Sequence, residues 1–331
     1  METRYGKFVM LCGIPASGKS TLSKKLLETG EYVVLSSDEI REELTGDVNN
    51  QEANVTVFDV MNQRTVDLLN SGKNVIYDAT NINRKRRKHL INHVIKANEK
   101  VIYYINEHID TIRFRDIKRS RTVGDEPIDR MYKTLHIPVL NEGWDEVNFV
   151  SPRIDKYLTD YRYSCESVLN KDTNHDDLFK ELGRYIRDFT VITDLPQDSK
   201  YHSFSVSRHT YHVYKYIKEN YNESNKTMML WAAVLHDLGK GFCKSFVNHK
   251  GEETKHANFI GHEYVSSQLA AYWLSILGYD DKFIKDVVTL TQFHMYPMNA
   301  SEKKMKEINM LLGDELFNKL MILHEADLQA K

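Results

Sequence analysis

Cysteine is scarce: Cys12, Cys165 and Cys243 lie far apart with no CxxC pair, which excludes a disulfide framework and a thiolate zinc site. Proline is scarce too, at 6 of 331 residues, and no low-complexity tract occurs, so the chain is expected to fold throughout. No apolar run approaches the about 18 residues of a membrane span, and the opening "METRYGKF" lacks the charged-then-apolar layout of a secretory signal. The expectation is a cytoplasmic protein without a membrane partner. Excess charge of one sign is also missing, because the net charge is −2 and acidic and basic residues balance in each half. A general polyanion binder is thereby excluded. Any nucleic-acid contact must come from local patches, such as "RKRRK" at Arg84–Lys88 or the run Arg113, Arg115, Lys118, Arg119 and Arg121.

What is present suits two domains, since 331 residues exceed one ordinary core. In the first half short apolar runs, "KFVMLC", "EYVVLS", "NVIYDA" and "KVIYYIN", alternate with helical patterns. That alternation predicts a parallel α/β sheet with flanking helices. Beyond about Val150 the strand signal fades, and "RHTYHVYKYIKEN", "TMMLWAAVLHD", "HEYVSSQLAAYWLSILG" and "DELFNKLMILHEADLQ" predict an all-α domain. The boundaries expected are 1–150 for the first domain, 151–195 for a connecting segment and 196–331 for the second.

Gly13–Ser20 reads GIPASGKS, the pattern GxxxxGK[ST], placed after a strand and before a helix. Glycines let the backbone wrap phosphate while amides and the helix N-terminus face it. Gly13, Ser17, Gly18, Lys19, Ser20 and Thr21 are therefore candidate nucleotide-binding residues, with Lys19 on the β- and γ-phosphates and Ser20 on the Mg²⁺ that accompanies ATP or another nucleoside triphosphate. Phosphoryl transfer also needs a proton acceptor and positive charge on the moving group. Asp38 and Arg41 stand one helical turn apart just beyond the second strand, where such a sheet opens its crevice. Asp78 ends the strand "NVIYD", Arg84 follows it as a further candidate for acceptor binding, and Arg121 sits on a basic segment suited to a helical lid.

The succession "GIPASGKST", "SSDEIR", "VIYDATNINRKRR", "KRSRTVGDEPID" and "MYKTLHIP" resembles the 5′-hydroxyl polynucleotide kinase family over residues 6–141. The resemblance implies a P-loop kinase fold with Lys19 and Ser20 on the donor, Asp38 as general base, Arg41 on acceptor phosphate and Arg121 clamping the donor phosphates. Phage members continue into a phosphatase marked DxDGT, which this chain lacks.

Instead "LHDLGK" follows. His236 and Asp237 are adjacent, a spacing suited to a carboxylate bridging two ions, with His209, His262, His294 and Asp327 set in apolar helical patterns. This order of H, HD, H, H, D resembles the HD phosphohydrolase superfamily across about residues 190–331, and the stretches around His209 and His262 are similar to HD domains attached to some tRNA nucleotidyltransferases. Imidazole with carboxylate suits one or two transition-metal ions, of manganese, nickel, cobalt, iron or zinc, that activate water for phosphoester hydrolysis. Lys240, one turn after Asp237, is expected on substrate phosphate, and His202 on substrate or leaving group; His212, His256 and His324 are bystanders.

Together the resemblances imply an enzyme that phosphorylates 5′-hydroxyl ends and clears 2′,3′-cyclic or terminal phosphate. Such an enzyme repairs RNA, with DNA a further substrate, and acts before a separate ligase. Known bacterial end-healing proteins that pair these domains place the hydrolase first, the reverse of the order here. The alternatives are a nucleoside or small-molecule kinase joined to a nucleotidase, or a helical half that only binds or assembles. A homo-oligomer is expected by analogy with kinase relatives.

Overall fold

The computed structural model describes residues 5–151, 156–199 and 204–330. Its contacts divide the chain into two units, one reaching Val150 without residues 132–134 and the other running from Ser151 with 132–134 added. Among the described residues no helix is long and apolar enough to cross a membrane.

The first unit is built on five strands, β1 (Lys7–Cys12), β2 (Tyr32–Ser36), β3 (Asn74–Asp78), β4 (Glu99–Ile105) and β5 (Glu146–Val150). They pair in parallel in the order β2-β3-β1-β4-β5. The central β1 buries every residue from Phe8 to Cys12, as a strand covered on both faces must. Helices α1 (Lys19–Thr29), α2 (Ser37–Thr45), α3 (Asn54–Asn70), α4 (Arg84–His89), α5 (Ile109–Ile117) and α6 (Asp125–Tyr132) follow the strands. Leu22 and Leu26, one turn apart on α1, pack against Val9, Leu11, Ile76, Val101 and Ile105. Register sets Asp78 opposite both Leu11 and Ser36, so the loops after β1, β2 and β3 open at one carboxyl edge. The sequence reading finds four of the five strands. In β5 only Val147 is buried, so an edge strand gives neither a continuous apolar run nor a strong alternation.

The second unit is helical: α7 (Lys156–Asn170), α8 (His175–Tyr185), α9 (Asp188–Ile192), α10 (Val206–Asn220), α11 (Lys226–Leu235), α12 (Lys240–Cys243), α13 (His262–Ile276), α14 (Asp281–Phe293), α15 (Glu302–Leu312) and α16 (Asp314–Gln329). Helix α11 is buried continuously from Met228 to Leu235, which explains its apolar run on all sides. Helices α10, α13, α14 and α16 pack around it. Two features differ from expectation. The stretch read as a connecting segment, within which "DDLFKELGRYIRDF" carries a helical pattern, forms α7, α8 and α9, with Leu169, Leu178 and Phe179 buried and Tyr214 donating to Leu169 O at 2.8 Å. A short antiparallel hairpin, β6 (Ser245–Val247) and β7 (Glu253–Asn258), interrupts the helices. Its mostly exposed, polar residues carry no strand pattern to read.

Candidate active sites

The loop between β1 and α1 is held from both sides. Gly13 N donates to Thr80 O at 3.0 Å and Ser17 N to Ile14 O at 3.3 Å. Ala16 and Gly18 take positive φ, 61° and 114°, and at Gly18 a side chain would add strain. Lys19 arches back over the loop, its Nζ donating to Gly13 O at 2.9 Å and Ile14 O at 3.0 Å. Burial pulls the Lys19 ammonium below its usual range against the opposing pull of Asp78. Burial likewise pushes the Asp78 carboxyl up, with Lys19 acting the other way. Ser17 is buried, whereas Ser20 and Thr21 are exposed on the first turn of α1.

Helix α2 is capped by Ser36, whose Oγ accepts from Glu39 N, and this places Asp38 in its first turn. One Asp38 oxygen accepts from Arg41 Nη1 at 2.9 Å and the other from Arg121 Nη1 at 3.3 Å. Arg41 is buried and its second nitrogen donates to Asn54 Oδ1 at 2.8 Å. Arg121 is steadied by Asn49 Oδ1 at 2.9 Å and Val48 O at 3.2 Å. Sequence reasoning overlooks Asn49 and Asn54, because an asparagine between elements reads as a turn former. It also leaves without a site role Arg115, whose Nη1 donates to Ser17 O at 3.2 Å while Nη2 pairs with Glu107 at 2.7 Å.

Arg84 is 7% exposed, and its Nε faces the buried Glu142 carboxylate at 3.3 Å, which Arg87 also grips through Nε at 2.9 Å and Nη2 at 2.7 Å. Arg84 thus belongs to a buried ion-pair cluster with Arg87 and Glu142.

In the second unit His209 on α10, His236 and Asp237 after α11, His262 on α13, His294 after α14 and Asp327 on α16 converge. Two ligand sets form, His209–His236–Asp327 and Asp237–His262–His294, each with its donor atoms within 4.8 Å of one another. Asp237 links them. Its Oδ2 lies 3.3 Å from His236 Nε2 and 3.5 Å from His209 Nε2, while Oδ1 lies 3.2 Å from His262 Nε2 and 3.8 Å from His294 Nε2.

Each imidazole is oriented by its other nitrogen. Nδ1 of His209, His236, His262 and His294 faces a backbone carbonyl, of Ala330, Ala233, Phe259 and Thr291, at 3.1, 2.7, 2.9 and 2.7 Å. Carbonyls only accept, so each Nδ1 carries a proton and each Nε2 is turned towards the ligand set. Nε2 atoms then face one another at 3.4 Å between His209 and His236 and at 3.3 Å between His262 and His294, an arrangement that calls for a cation. His294 is pushed down to about 3 by burial and by His236 and His262, which keeps it neutral for ligation. For Asp237 burial acts upward, yet Lys240 and His236 outweigh it and hold the carboxyl well below its usual range.

Residues 8–138 match the AAA domain family and residues 200–328 the HD domain family. The chain is an AAA-type P-loop domain followed by an HD domain. It is similar to the L-seryl-tRNA(Sec) kinase of Methanococcus maripaludis, 26% identical over half of this chain and 66% of that protein. Two solved structures of a Pnkp1/Rnl/Hen1 complex are also similar in part. One is 21% identical over 37% of this chain and 42% of its own, with a TM-score of 0.32, and the other 23% over 40% and 43%, with 0.34. The chain thus spans less than half of those chains and just under two thirds of the curated kinase.

The HD-domain residues fit metal ions. Among the described residues Asp237 Oδ2 is a buried oxygen without a well-directed hydrogen bond, although Lys240 Nζ stands 2.7 Å away. Two imidazoles with a carboxylate in each set suit transition metals, and HD domains are metal-dependent. Lys240 also donates to Gln197 Oε1 at 3.0 Å, a partner the sequence did not point to. His202 lies outside the described residues. His212 packs tilted against Phe204 at 4.7 Å, His256 sits exposed on β7, and neither they nor His324 joins a ligand set.

Proposed function

We propose that the chain is a bifunctional nucleic-acid end-healing enzyme that moves the γ-phosphate of a nucleoside triphosphate onto a 5′-hydroxyl and hydrolyses 2′,3′-cyclic or terminal phosphate ends. RNA is the expected substrate and a separate ligase the next actor. The observation that carries the reading is the Asp237 carboxylate shared between two imidazole sets, in a chain that also holds a phosphate loop.

In the kinase step Lys19 and the loop amides would hold the donor phosphates, and Ser20 would hold the Mg²⁺ that accompanies them. Asp38 takes the proton of the attacking hydroxyl as the new O–P bond forms and the β–γ bridge breaks. Each Asp38 oxygen accepts one guanidinium hydrogen bond and keeps a second lone pair for the hydroxyl proton. Arg121, whose contact is the longer one, is the guanidinium that donor phosphates would draw towards themselves. Arg41, held by Asn54, stays to bind acceptor phosphate.

In the HD domain, bound metal ions would supply Lewis acidity and an activated water. The four Nε2 atoms, Asp237 and Asp327 would hold them, and Lys240 would neutralise substrate phosphate. The anionic Asp237 and neutral His294 are already in their ligating forms.

A second reading is favoured by the 26% match to L-seryl-tRNA(Sec) kinase: the acceptor hydroxyl would belong to an aminoacyl group on tRNA. Labelled ATP supplied with a 5′-hydroxyl oligoribonucleotide, a free nucleoside or seryl-tRNA separates the cases. Label on the oligonucleotide end supports end healing, and label only on seryl-tRNA or the nucleoside defeats it. End-group analysis of an RNA with a 2′,3′-cyclic phosphate tests the second half, and no opening with any divalent metal would leave the helical half a binding module.

A further inference from the structure

We infer that the HD-domain cavity receives one unpaired terminal nucleotide, its phosphate at Lys240 and its base on an apolar wall of Phe259, Ile260, Met295 and Met298. The inference rests on the hydrolytic reading of the same site and adds the form of the substrate. A cavity of about 380 Å³ is lined by five of the six ligand residues, by Lys240 and by these four apolar side chains. That volume lies at the low end of small-molecule pockets, which run from about 300 to 1,000 Å³, and it has room for one nucleotide.

The wall carries chemistry that phosphate alone does not require. Ile260 is 54% exposed and Met298 37% exposed, large apolar groups left in water beside a charged floor. Thioethers adapt to rings of differing shape. Phe259 joins wall to floor, for Lys240 Nζ lies 5.4 Å from its ring centroid and 2.7 Å from Asp237 Oδ2. Gln197 is already engaged by Lys240 through Oε1 and by Phe204 O through Nε2, at 3.0 and 3.2 Å. Contact through the ring face of a base tolerates every base. A base-paired end keeps its last nucleotide stacked and must fray to enter.

Calorimetric titration of the full chain carrying Lys19→Ala, which silences the phosphate loop, tests the assignment with adenosine 3′-monophosphate, uridine 3′-monophosphate and inorganic phosphate. Both nucleotides are expected to bind at least tenfold tighter than phosphate and within about threefold of each other. Adding Ile260→Ala or Met298→Ala, both at exposed positions that the fold does not need, shrinks the advantage to under threefold and leaves phosphate affinity unchanged. Nucleotides binding no tighter than phosphate, or binding that ignores both wall variants, overturns the assignment. The reaction is judged separately on RNA. A chain that opens cyclic phosphate but shows no nucleotide advantage refutes this pocket alone, and one that binds nucleotides through the wall but opens nothing refutes the reaction alone.

Discussion

The two halves support their charged side chains differently. In the AAA-type domain the key groups sit on helix α2 and on loops beyond the strands and are held by other side chains, as Asp38 is by Arg41 and Arg121, and those in turn by Asn54 and Asn49. In the HD domain each of the four converging imidazoles, of His209, His236, His262 and His294, is fixed by a backbone carbonyl. Side-chain partners can be exchanged as substrates arrive, whereas carbonyl partners cannot. Under the proposed function the first site would rearrange between two substrates, and the second would hold a fixed ligand cage.

The largest test of that separation is reciprocal loss. Lys19→Ala should reduce phosphoryl transfer by about 10³-fold, in line with loss of a key electrostatic contact, and leave phosphoester hydrolysis intact. Asp237→Asn should do the reverse, because a carboxamide cannot bridge two cations as an anion. End-group analysis of one RNA with both end types reads the two together. Loss of both activities in either variant would break the comparison.

A smaller effect sharpens it from the kinase side. Asp38→Asn keeps the size of the side chain but removes the base, and should lower kcat by about 10²-fold with little change in nucleotide KM. An unaltered kcat would remove Asp38 from proton transfer.

From the other side, a fixed cage predicts that metal and stability are linked. Chelation should abolish hydrolysis and lower the thermal midpoint of the helical unit, since a ligand at a hundred times its Kd stabilises by about 2.7 kcal/mol. Differential scanning calorimetry with and without chelator checks this, and a midpoint indifferent to metal would show that the imidazoles are already satisfied.

How far the sequence foretold these sites follows from the same contrast. The phosphate loop was readable because its glycines answer a backbone need, visible at Gly18 with φ 114°. The ligand histidines were readable because each interrupts an apolar helical stripe and their order matched a known family. Asn49, Asn54 and Arg115 escaped because their partners are set by tertiary proximity, not by sequence spacing. The burial of Arg84 was not legible for a related reason: in "RKRRK" every residue is cationic, so charge cannot tell the inward face from the outward one. Only the buried Glu142, far along the chain, shows that Arg84 and Arg87, three apart on one face, turn inward.

That buried cluster gives the smallest and most local prediction. His136 accepts from Arg84 N through Nδ1 at 3.3 Å, and burial, followed by the nearby Arg84 and Arg87 charges, pushes it down from 6.5 to about 4. As pH falls through that window the unfolded chain binds a proton that the folded one refuses. Stability is therefore full above about pH 6.5 and declines towards pH 4. Because His136 is only partly buried, solvent screening trims the loss at pH 5 to on the order of 1 kcal/mol. His136→Asn keeps an acceptor for Arg84 N but cannot titrate, so its urea midpoint should fall less between pH 7 and 5 than that of the parent chain. Equal falls would mean that the acid sensitivity lies elsewhere. The imidazole cage of the HD domain, once loaded with metal, would then be the place to look, since cations and protons compete for the same nitrogens there.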